Sequence, residues 1–347
     1  MESRLKNKIW GSFSGLAIGD ALGMPWHELT PEEIDLRSEG KLDQFFDPFD
    51  DEFIHLGYKA GQITDDTVLS IVTANAILKY DGKPETEEFI DELADWVKTN
   101  QAIWTHGGVY GPSTKAAFYK LMENKFDGYL DRTRSWLYSG TSNGALMRIS
   151  PAGWANAGDW QAACDLACKL VLPTHPTDVA LSAASGLASA VSEALTENAT
   201  VDSIINAALK GTKYGEEQGL KRGRKTDNRF PLPNLEYALE LATKAKDSQE
   251  AADLIRRRIG SHFHVSETLS SVFGIFYAAK GEPKEAILTA VRNGADSDTI
   301  ASIVGSLCGA LKGIESLPSS WVNTIEEINH LDAEKIAEQF VKLNQKK

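Results

Sequence analysis

The sequence predicts an all-α fold, a compact multihelix domain that spans residues 1–347. Three observations support this class. Apolar residues recur every three or four positions over thirteen segments, as on one face of a helix. Convincing period-two alternation, the mark of a half-buried strand, is nearly absent. Several of the most apolar segments are rich in glycine, alanine and serine, which lets helix backbones approach closely.

The first helix is predicted over residues 4–22, where Leu5, Ile9, Phe13 and Leu16 keep helical spacing. A signal peptide is the alternative, because three basic residues precede this apolar stretch. Glycines and serines interrupt the stretch and no A-x-A site follows, so a core helix is favoured. Further helices are predicted at 66–80, 85–99, 113–123, 158–171, 177–194, 200–210, 234–245, 248–258, 265–280, 283–293, 299–313 and 332–345.

Four long connections separate these helices, at residues 29–63, 100–112, 124–145 and 211–233. Loops of this length inside a compact domain are usually functional. None has the composition of a linker, so one domain is expected rather than two. The basic residues of the last loop are predicted to form a solvated face, with docking of a macromolecular partner as the alternative.

The charge balance excludes some classes of protein. The chain has 36 Lys and Arg against 49 Asp and Glu, a net charge of −13. Such a surface repels phosphates on average, so a nucleic-acid partner is not expected. No run of eighteen apolar residues exists, so no membrane association is expected. Cys164, Cys168 and Cys308 lack metal or redox spacing and are predicted to be small buried hydrophobes in a reducing cytoplasm.

Two similar acidic clusters are the sharpest signal for chemistry. Thr64-Asp65-Asp66-Thr67 and Asp296-Ser297-Asp298-Thr299 each precede an apolar helix. Helix capping explains one acid at a helix start, but here each start has two. If the clusters meet, cations must offset their repulsion. The candidate metal ligands are Thr64, Asp65, Asp66, Asp296, Asp298 and Thr299.

This ligand set contains only carboxylate and hydroxyl oxygens, with no Cys or His beside them in sequence. Such donors suit Mg²⁺ or Mn²⁺ and argue against zinc. Four carboxylates roughly neutralise two divalent cations, so the expected cofactor is a pair of Mg²⁺ ions, with Mn²⁺ as the alternative. A pair of this kind can activate water and bind hydroxyls or phosphates.

Other segments add candidate groups. Asp20 lies in the apolar first helix, where a buried acid needs a partner. Glu28 follows a glycine and proline turn and is expected in a loop. The glycine-rich stretches at 107–112 and 140–145 suit backbone N–H groups that approach an anion. His27 and His106 are predicted to be surface or core residues rather than ligands.

Five motifs in order resemble the ADP-ribosylglycohydrolase family over residues 15–313. They are Gly19-Asp20-Ala21-Leu22-Gly23, Thr64-Asp65-Asp66-Thr67, Gly144-Ala145-Leu146-Met147-Arg148, Thr174-His175 and Asp296-Ser297-Asp298-Thr299. The resemblance implies an all-α fold, a binuclear magnesium or manganese centre in a cleft, and hydrolysis of the bond between ADP-ribose and an acceptor. It also implies that the six candidate ligands above hold the metals.

The resemblance assigns the remaining site residues as well. Glu28 falls where some members carry an essential glutamate. The segments that would hold the diphosphate and ribose contain Gly108 and Gly111, and then Gly140, Thr141, Ser142, Asn143 and Gly144. His175 falls on a histidine that reaches the ligand. The chain departs from the family at Ala295, where a second glycine is usual.

The expected function is therefore metal-dependent removal of ADP-ribose from an acceptor, with an arginine side chain slightly favoured. Glu28 or a metal-held water is the expected base. The partner is then an ADP-ribosyl group on a modified protein, and protection against an ADP-ribosylating toxin is one biological setting. The alternatives are an inactive binding or structural protein on the same scaffold, and a two-metal phosphohydrolase of unrelated ancestry.

Overall fold

The structure, a computed structural model, describes residues 2–51, 54–105, 109–122, 140–226 and 230–346. Over these residues the chain forms seventeen α-helices and no β-strand, which confirms the predicted all-α class. The helices are α1 (Glu2–Gly23), α2 (Pro31–Ser38), α3 (Asp65–Lys79), α4 (Thr86–Thr99), α5 (Gln101–Thr105), α6 (Pro112–Met122), α7 (Ser150–Trp154), α8 (Trp160–Val171), α9 (Asp178–Ala194), α10 (Val201–Arg222), α11 (Pro231–Lys244), α12 (Ser248–Arg258), α13 (Val265–Ala278), α14 (Pro283–Asn293), α15 (Ser297–Lys312), α16 (Ser319–Asn329) and α17 (Ala333–Gln345).

The predicted helices are all present, but α2, α5, α7 and α16 were not predicted. The prediction for α10 was wrong at its C-terminal end, because the helix continues to Arg222 instead of stopping at residue 210. Gly211, Gly215 and Gly219 lower the intrinsic helix preference of the C-terminal half of α10. They are required by packing, since a Cβ on Gly215 would lie 2.6 Å from the carbonyl oxygen of Leu181 in α9.

Helices α1 and α15 pack at the centre of the molecule through small residues. Gly11, Gly15 and Gly19 recur every four residues on α1, so they lie along one side of the helix. A Cβ on Gly15 would lie 2.2 Å from the carbonyl oxygen of Gly305 in α15. Glycine at these positions therefore sets the separation of the two helices.

The hydrophobic core surrounds this central pair. One cluster of buried apolar side chains extends from Ile9 in α1 to Leu343 in α17. Cys164, Cys168 and Cys308 are buried free thiols, as predicted. Among the described residues, no helix is long and apolar enough to cross a membrane.

Candidate metal centre

The two acidic clusters lie against each other in the structure. The C-terminal end of α1 and the N-terminal ends of α3 and α15 converge, and a Cβ on Gly23 would lie only 2.5 Å from the Cα of Asp298. Across the junction, the Thr299 hydroxyl donates a hydrogen bond of 3.3 Å to Oδ2 of Asp66. The six candidate metal ligands, Thr64, Asp65, Asp66, Asp296, Asp298 and Thr299, are all buried.

Asp20, and not an acid of α3 itself, caps the start of α3. The backbone N–H of Thr64 donates to Oδ2 of Asp20 at 2.9 Å, and that of Thr67 at 3.1 Å. Both threonine hydroxyls also donate to this carboxylate. Because the side chain of Asp20 in α1 accepts from these N–H groups, α3 does not need Asp65 or Asp66 as a cap. Helix capping therefore does not account for these two acids.

The carboxylates at the start of α15 both contact side chains outside this helix, although Oδ1 of Asp298 also accepts a hydrogen bond of 3.0 Å from the N–H of Thr299. Asp296 precedes the first turn and makes no capping bond with its side chain. Its Oδ2 instead accepts a hydrogen bond from the side-chain amide of Asn143. Asp298 Oδ1 lies 2.9 Å from Nδ1 of His27. The acids of both clusters therefore point into a shared space between the helix ends.

His27 is buried, in keeping with the core position that the sequence analysis allowed for it, but it lies within the acid cluster. Its ring is buried among the acids, with Nδ1 also 3.6 Å from Oδ1 of Asp296. A second histidine, His55, lies with Nε2 3.5 Å from Oδ2 of Asp298. The premise that no histidine stands beside the acids is therefore wrong in three dimensions. The only hint of this position in the sequence was that His27 immediately precedes Glu28, the predicted base.

A pair of strained backbone segments aims His27 at the acids. Glu28 and Ala295 both adopt left-handed conformations, with φ of 63° and 54°. The N–H of Glu28 donates to the carbonyl of Ala295 at 2.7 Å, and the N–H of Ala295 donates to that of Leu29 at 3.1 Å. These reciprocal bonds offset a conformational cost of about 1–3 kcal/mol for each non-glycine residue. They join the residue after His27 to the residue before Asp296.

The predicted base lies at the rim of this centre. The side chain of Glu28 is 42% exposed. Its Oε1 lies 4.0 Å from Nε2 of His27 and 3.8 Å from Nδ1 of His262. The histidine rather than the glutamate is thus the member of this loop that enters the acid cluster.

Burial and mutual repulsion dominate the electrostatics of the acids. Burial, followed by the charges of Asp20 and Asp298, raises the pKa of Asp66 well above its usual value. Burial and then Asp298 raise the pKa of Asp296 to about 8. In addition, Oδ1 of Asp66 is buried without a hydrogen-bond partner among the described residues. Carboxylates in this state are under-satisfied, and a cation offsets that cost.

The His27–Asp298 pair behaves differently from the other acids. Burial alone would raise the pKa of Asp298, but the charge and hydrogen bond of His27 outweigh it and lower that pKa well below the usual value. For His27, burial lowers the pKa, yet the charge of Asp298 raises it to about 10 overall. These shifts describe the centre without a cation, and His27 supplies positive charge there.

The glycine-rich loop at 140–145 lies next to the acids and is held at both ends. Gly140 has φ of +67°, and its carbonyl accepts a hydrogen bond of 2.8 Å from the Thr177 hydroxyl. The N–H of Asn143 donates to the carbonyl of Phe263 at 2.7 Å. Val265 donates its N–H to the carbonyl of Thr141 at 2.9 Å. The loop therefore connects the start of α9 to the start of α13.

His175 is buried beneath this loop. Its Nε2 lies 2.9 Å from the hydroxyl oxygen of Ser142, and Nδ1 lies 2.7 Å from that of Thr174. Burial and the nearby charge of Arg148 lower the pKa of His175 to about 3. A Cβ on Gly144 would lie 3.0 Å from Cε1 of His175, so this glycine is needed for the close contact.

The other two glycines predicted to contact the ligand are Gly108 and Gly111, and the structure describes only Gly111. Gly111 immediately precedes α6, and a Cβ there would meet nothing within 4 Å. Close packing therefore does not require glycine at this position. Gly108 lies outside the described residues, as does His106. The start of α6 lies close to the loop at 140–145, because a Cβ on Gly144 would lie 3.0 Å from Oγ1 of Thr114.

The structure is thus an all-α protein in which a buried group of one histidine and two aspartates, His27, Asp296 and Asp298, could hold a metal ion. The sequence profile of the ADP-ribosylglycohydrolase family matches residues 1–347, so the chain belongs to the ADP-ribosylglycohydrolase family. A solved structure described as an ADP-ribosylglycohydrolase-related protein complex shares the fold. Its TM-score is 0.65 at 20% identity, over 98% of this chain and 99% of the other.

Three curated relatives are similar over almost their full length. An uncharacterized protein of Escherichia coli strain K12, YegU, is 26% identical over 98% of each chain. An uncharacterized protein of Archaeoglobus fulgidus is 27% identical over 96% of this chain and 94% of its own. The ADP-ribosyl-[dinitrogen reductase] glycohydrolase of Rhodospirillum rubrum is 23% identical over 92% of this chain and 90% of its own.

Proposed function

We propose that the protein is a metal-dependent hydrolase that cleaves the glycosidic bond between ADP-ribose and an acceptor. The observation that carries this proposal is the meeting of two acidic clusters, buried and freed from helix capping. Family membership and the similarity to a named glycohydrolase supply the substrate class. The buried Oδ1 of Asp66, which has no hydrogen-bond partner among the described residues, also supports a bound cation.

The donor set fits two divalent cations. Asp65, Asp66, Asp296 and Asp298 offer carboxylates, and Thr64 and Thr299 offer hydroxyl oxygens. The Thr64 hydroxyl donates its hydrogen to Asp20, which leaves oxygen lone pairs for a cation. Mg²⁺ or Mn²⁺ accepts such ligands, and when bound supplies Lewis-acid stabilisation and an acidified water. The protein itself holds the ligands in position and excludes bulk water by burial.

The glycine-rich loop is the proposed site for the diphosphate and ribose. Backbone N–H groups of this loop other than that of Asn143, and the hydroxyls of Thr141 and Ser142, suit an anionic, hydroxylated ligand. Asn143 is committed to Asp296 through its amide, so it couples this loop to the metal centre. His175 stays neutral at physiological pH, because its pKa is about 3, and it supports the loop by bonding Ser142 rather than by supplying charge. Gly111, and Gly108 outside the described residues, stay predicted ligand contacts on the basis of the sequence alone.

Glu28 is the proposed general base, with a metal-held water as the alternative. Its half-exposed carboxylate at the rim is accessible to a water on the acceptor side of the centre. Glu28→Gln keeps size and hydrogen bonding but removes the proton acceptor, so kcat is expected to fall by about 10²–10⁴-fold. Glu32→Gln, on the exposed face of α2, is the matched control. Near-normal activity of Glu28→Gln would assign the proton transfer to another group.

The acceptor decides the biological setting. An arginine side chain of a modified protein is the first acceptor to test, with serine second, and reversal of damage by an ADP-ribosylating toxin is one setting. The decisive experiment incubates the protein with arginine-linked and serine-linked ADP-ribosyl substrates, with and without Mg²⁺ or Mn²⁺. Metal-dependent release of ADP-ribose supports the proposal. Binding of ADP-ribose without turnover of either substrate would favour an inactive binding protein. The cytoplasm stays the predicted location.

A further inference from the structure

We propose that His27 ligates a divalent ion through Nδ1, together with Asp296 and Asp298, and that this nitrogen makes the centre select Mn²⁺ or a similar first-row transition ion over Mg²⁺. The inference rests on the metal centre of the proposed function and names the class of ion it takes. It departs from the oxygen-only centre that the sequence predicts.

The geometry places three ligand atoms around one position. One atom each from His27, Asp296 and Asp298 can be chosen so that all lie within 4.8 Å of one another. The imidazole Nδ1 faces both carboxylates, at 2.9 Å from Asp298 and 3.6 Å from Asp296. All three residues are buried. A cation between them replaces the direct contact between His27 and Asp298.

The second ring nitrogen of His27 lies near a carboxylate. Metal-ligating histidines usually present their other N–H to a carboxylate or carbonyl, which fixes the tautomer that leaves the ligating nitrogen unprotonated. Nε2 of His27 lies 4.0 Å from Oε1 of Glu28, a contact longer than a hydrogen bond. A small movement of the exposed Glu28 side chain would let it accept the Nε2–H and leave Nδ1 free for the ion.

The backbone holds the imidazole in place before any ion binds. Trp26 is buried and packs on Phe46 and Phe49, with ring centroids 5.1 Å and 5.2 Å away. On the other side of His27, the left-handed Glu28 is hydrogen bonded to Ala295. Because the residues on both sides of His27 are held in place, its backbone loses little conformational entropy when the side chain ligates a metal.

The chemistry of the donors determines the ion. Mg²⁺ prefers oxygen ligands in strict octahedral geometry, whereas imidazole favours Mn²⁺, Fe²⁺ and later ions progressively more. His55 lies on the other oxygen of Asp298, at 3.5 Å, where it can orient that carboxylate. The competing explanation is that His27 is only a buried counter-ion for Asp298, and the two explanations differ in whether nitrogen contacts the metal.

Pulsed electron paramagnetic resonance of the Mn²⁺-loaded full chain tests this directly, without substrate. We expect a ¹⁴N coupling from a directly bound imidazole in the wild type. The coupling should disappear in His27→Gln and persist in the matched variant His262→Gln, whose ring lies outside the acid cluster. Bound Mn²⁺ without this coupling, or a coupling that survives in His27→Gln, would overturn the inference.

Calorimetric titration provides a second readout. The ratio of the Mg²⁺ to the Mn²⁺ dissociation constant should fall at least tenfold in His27→Glu, which restores an oxygen ligand. Circular dichroism checks that this variant folds, and an unchanged ratio in a folded variant would contradict the inference. Metal-dependent hydrolysis with an oxygen-only centre would leave the proposed function intact. Nitrogen ligation without hydrolysis of any ADP-ribosyl substrate would overturn the function alone.

Discussion

Replacing Gly15 by alanine should destabilise the protein, although alanine is the better helix former. In an exposed helix the exchange stabilises by about 0.5–1 kcal/mol. In α1, however, the new Cβ would lie 2.2 Å from the carbonyl oxygen of Gly305, whereas ordinary van der Waals contact begins at 3.4 Å. Helices α1 and α15 must therefore move apart by roughly 1 Å against a packed core, since neither atom is on a flexible side chain.

Overpacking of this kind typically costs about 1–3 kcal/mol, and here it opposes the propensity gain. We expect the free energy of unfolding of Gly15→Ala to fall by about 1–2 kcal/mol. Urea denaturation followed by circular dichroism measures this, with an unchanged slope as the sign of two-state behaviour. Gly111→Ala, where the new Cβ meets nothing within 4 Å, is the control and should change stability by less than about 0.5 kcal/mol. A Gly15→Ala protein as stable as the wild type would refute the argument that glycine sets the separation of these helices.

Three further predictions concern the centre and the loops. Mn²⁺ at about 100 times its dissociation constant should stabilise the wild type by about 2.7 kcal/mol in thermal unfolding. The variant Asp66→Asn should lose most of this stabilisation, whereas the control Asp43→Asn, at an exposed position, should keep it. The pKa of His175 is about 3 in the folded protein and 6.5 in the unfolded chain, so only the unfolded chain takes up a proton as the pH drops below 6.5. The free energy of unfolding should therefore fall, by about 2 kcal/mol at pH 5. In His175→Gln this free energy should decline less over the same pH interval. Gly144→Val should weaken ADP-ribose binding at least tenfold in calorimetry, because its side chain collides with His175, whereas Gly111→Val should have a smaller effect; equal losses in both would contradict this steric reasoning.

Local patterns were sufficient for most of the fold. Helical spacing of apolar residues predicted every described helix longer than eleven residues, and the small residues of the first and fifteenth helices indicated that both are closely packed. The sequence missed four helices, of which α5 and α7 have five residues each. It also ended α10 early, because Gly211, Gly215 and Gly219 lower helix preference locally while their contacts with α9 lie outside any local window.

For the candidate site, too, some features followed from local sequence and others only from the tertiary structure. Paired acids and threonines before two apolar helices identified the candidate ligands from sequence, since hard oxygen donors are recognisable by type and spacing alone. Only the tertiary structure decided that Asp20 caps α3 from another helix and so frees Asp65 and Asp66. Spacing along the chain carries no information about which element satisfies an N–H group in three dimensions.

The placement of His27 and Glu28 is the clearest case of what only tertiary structure decides. Both residues stand side by side in the sequence, and chemistry favoured the glutamate as the functional group. The close approach of α1 to α15 and the left-handed backbone at Glu28 turn the histidine into the acids and the glutamate to the rim. A side chain's direction depends on backbone dihedrals set by long-range hydrogen bonds, here to Ala295, some 270 residues away in the chain. The sequence by itself determined which chemical groups the centre has available, and the packing of distant helix ends decided which of them meet.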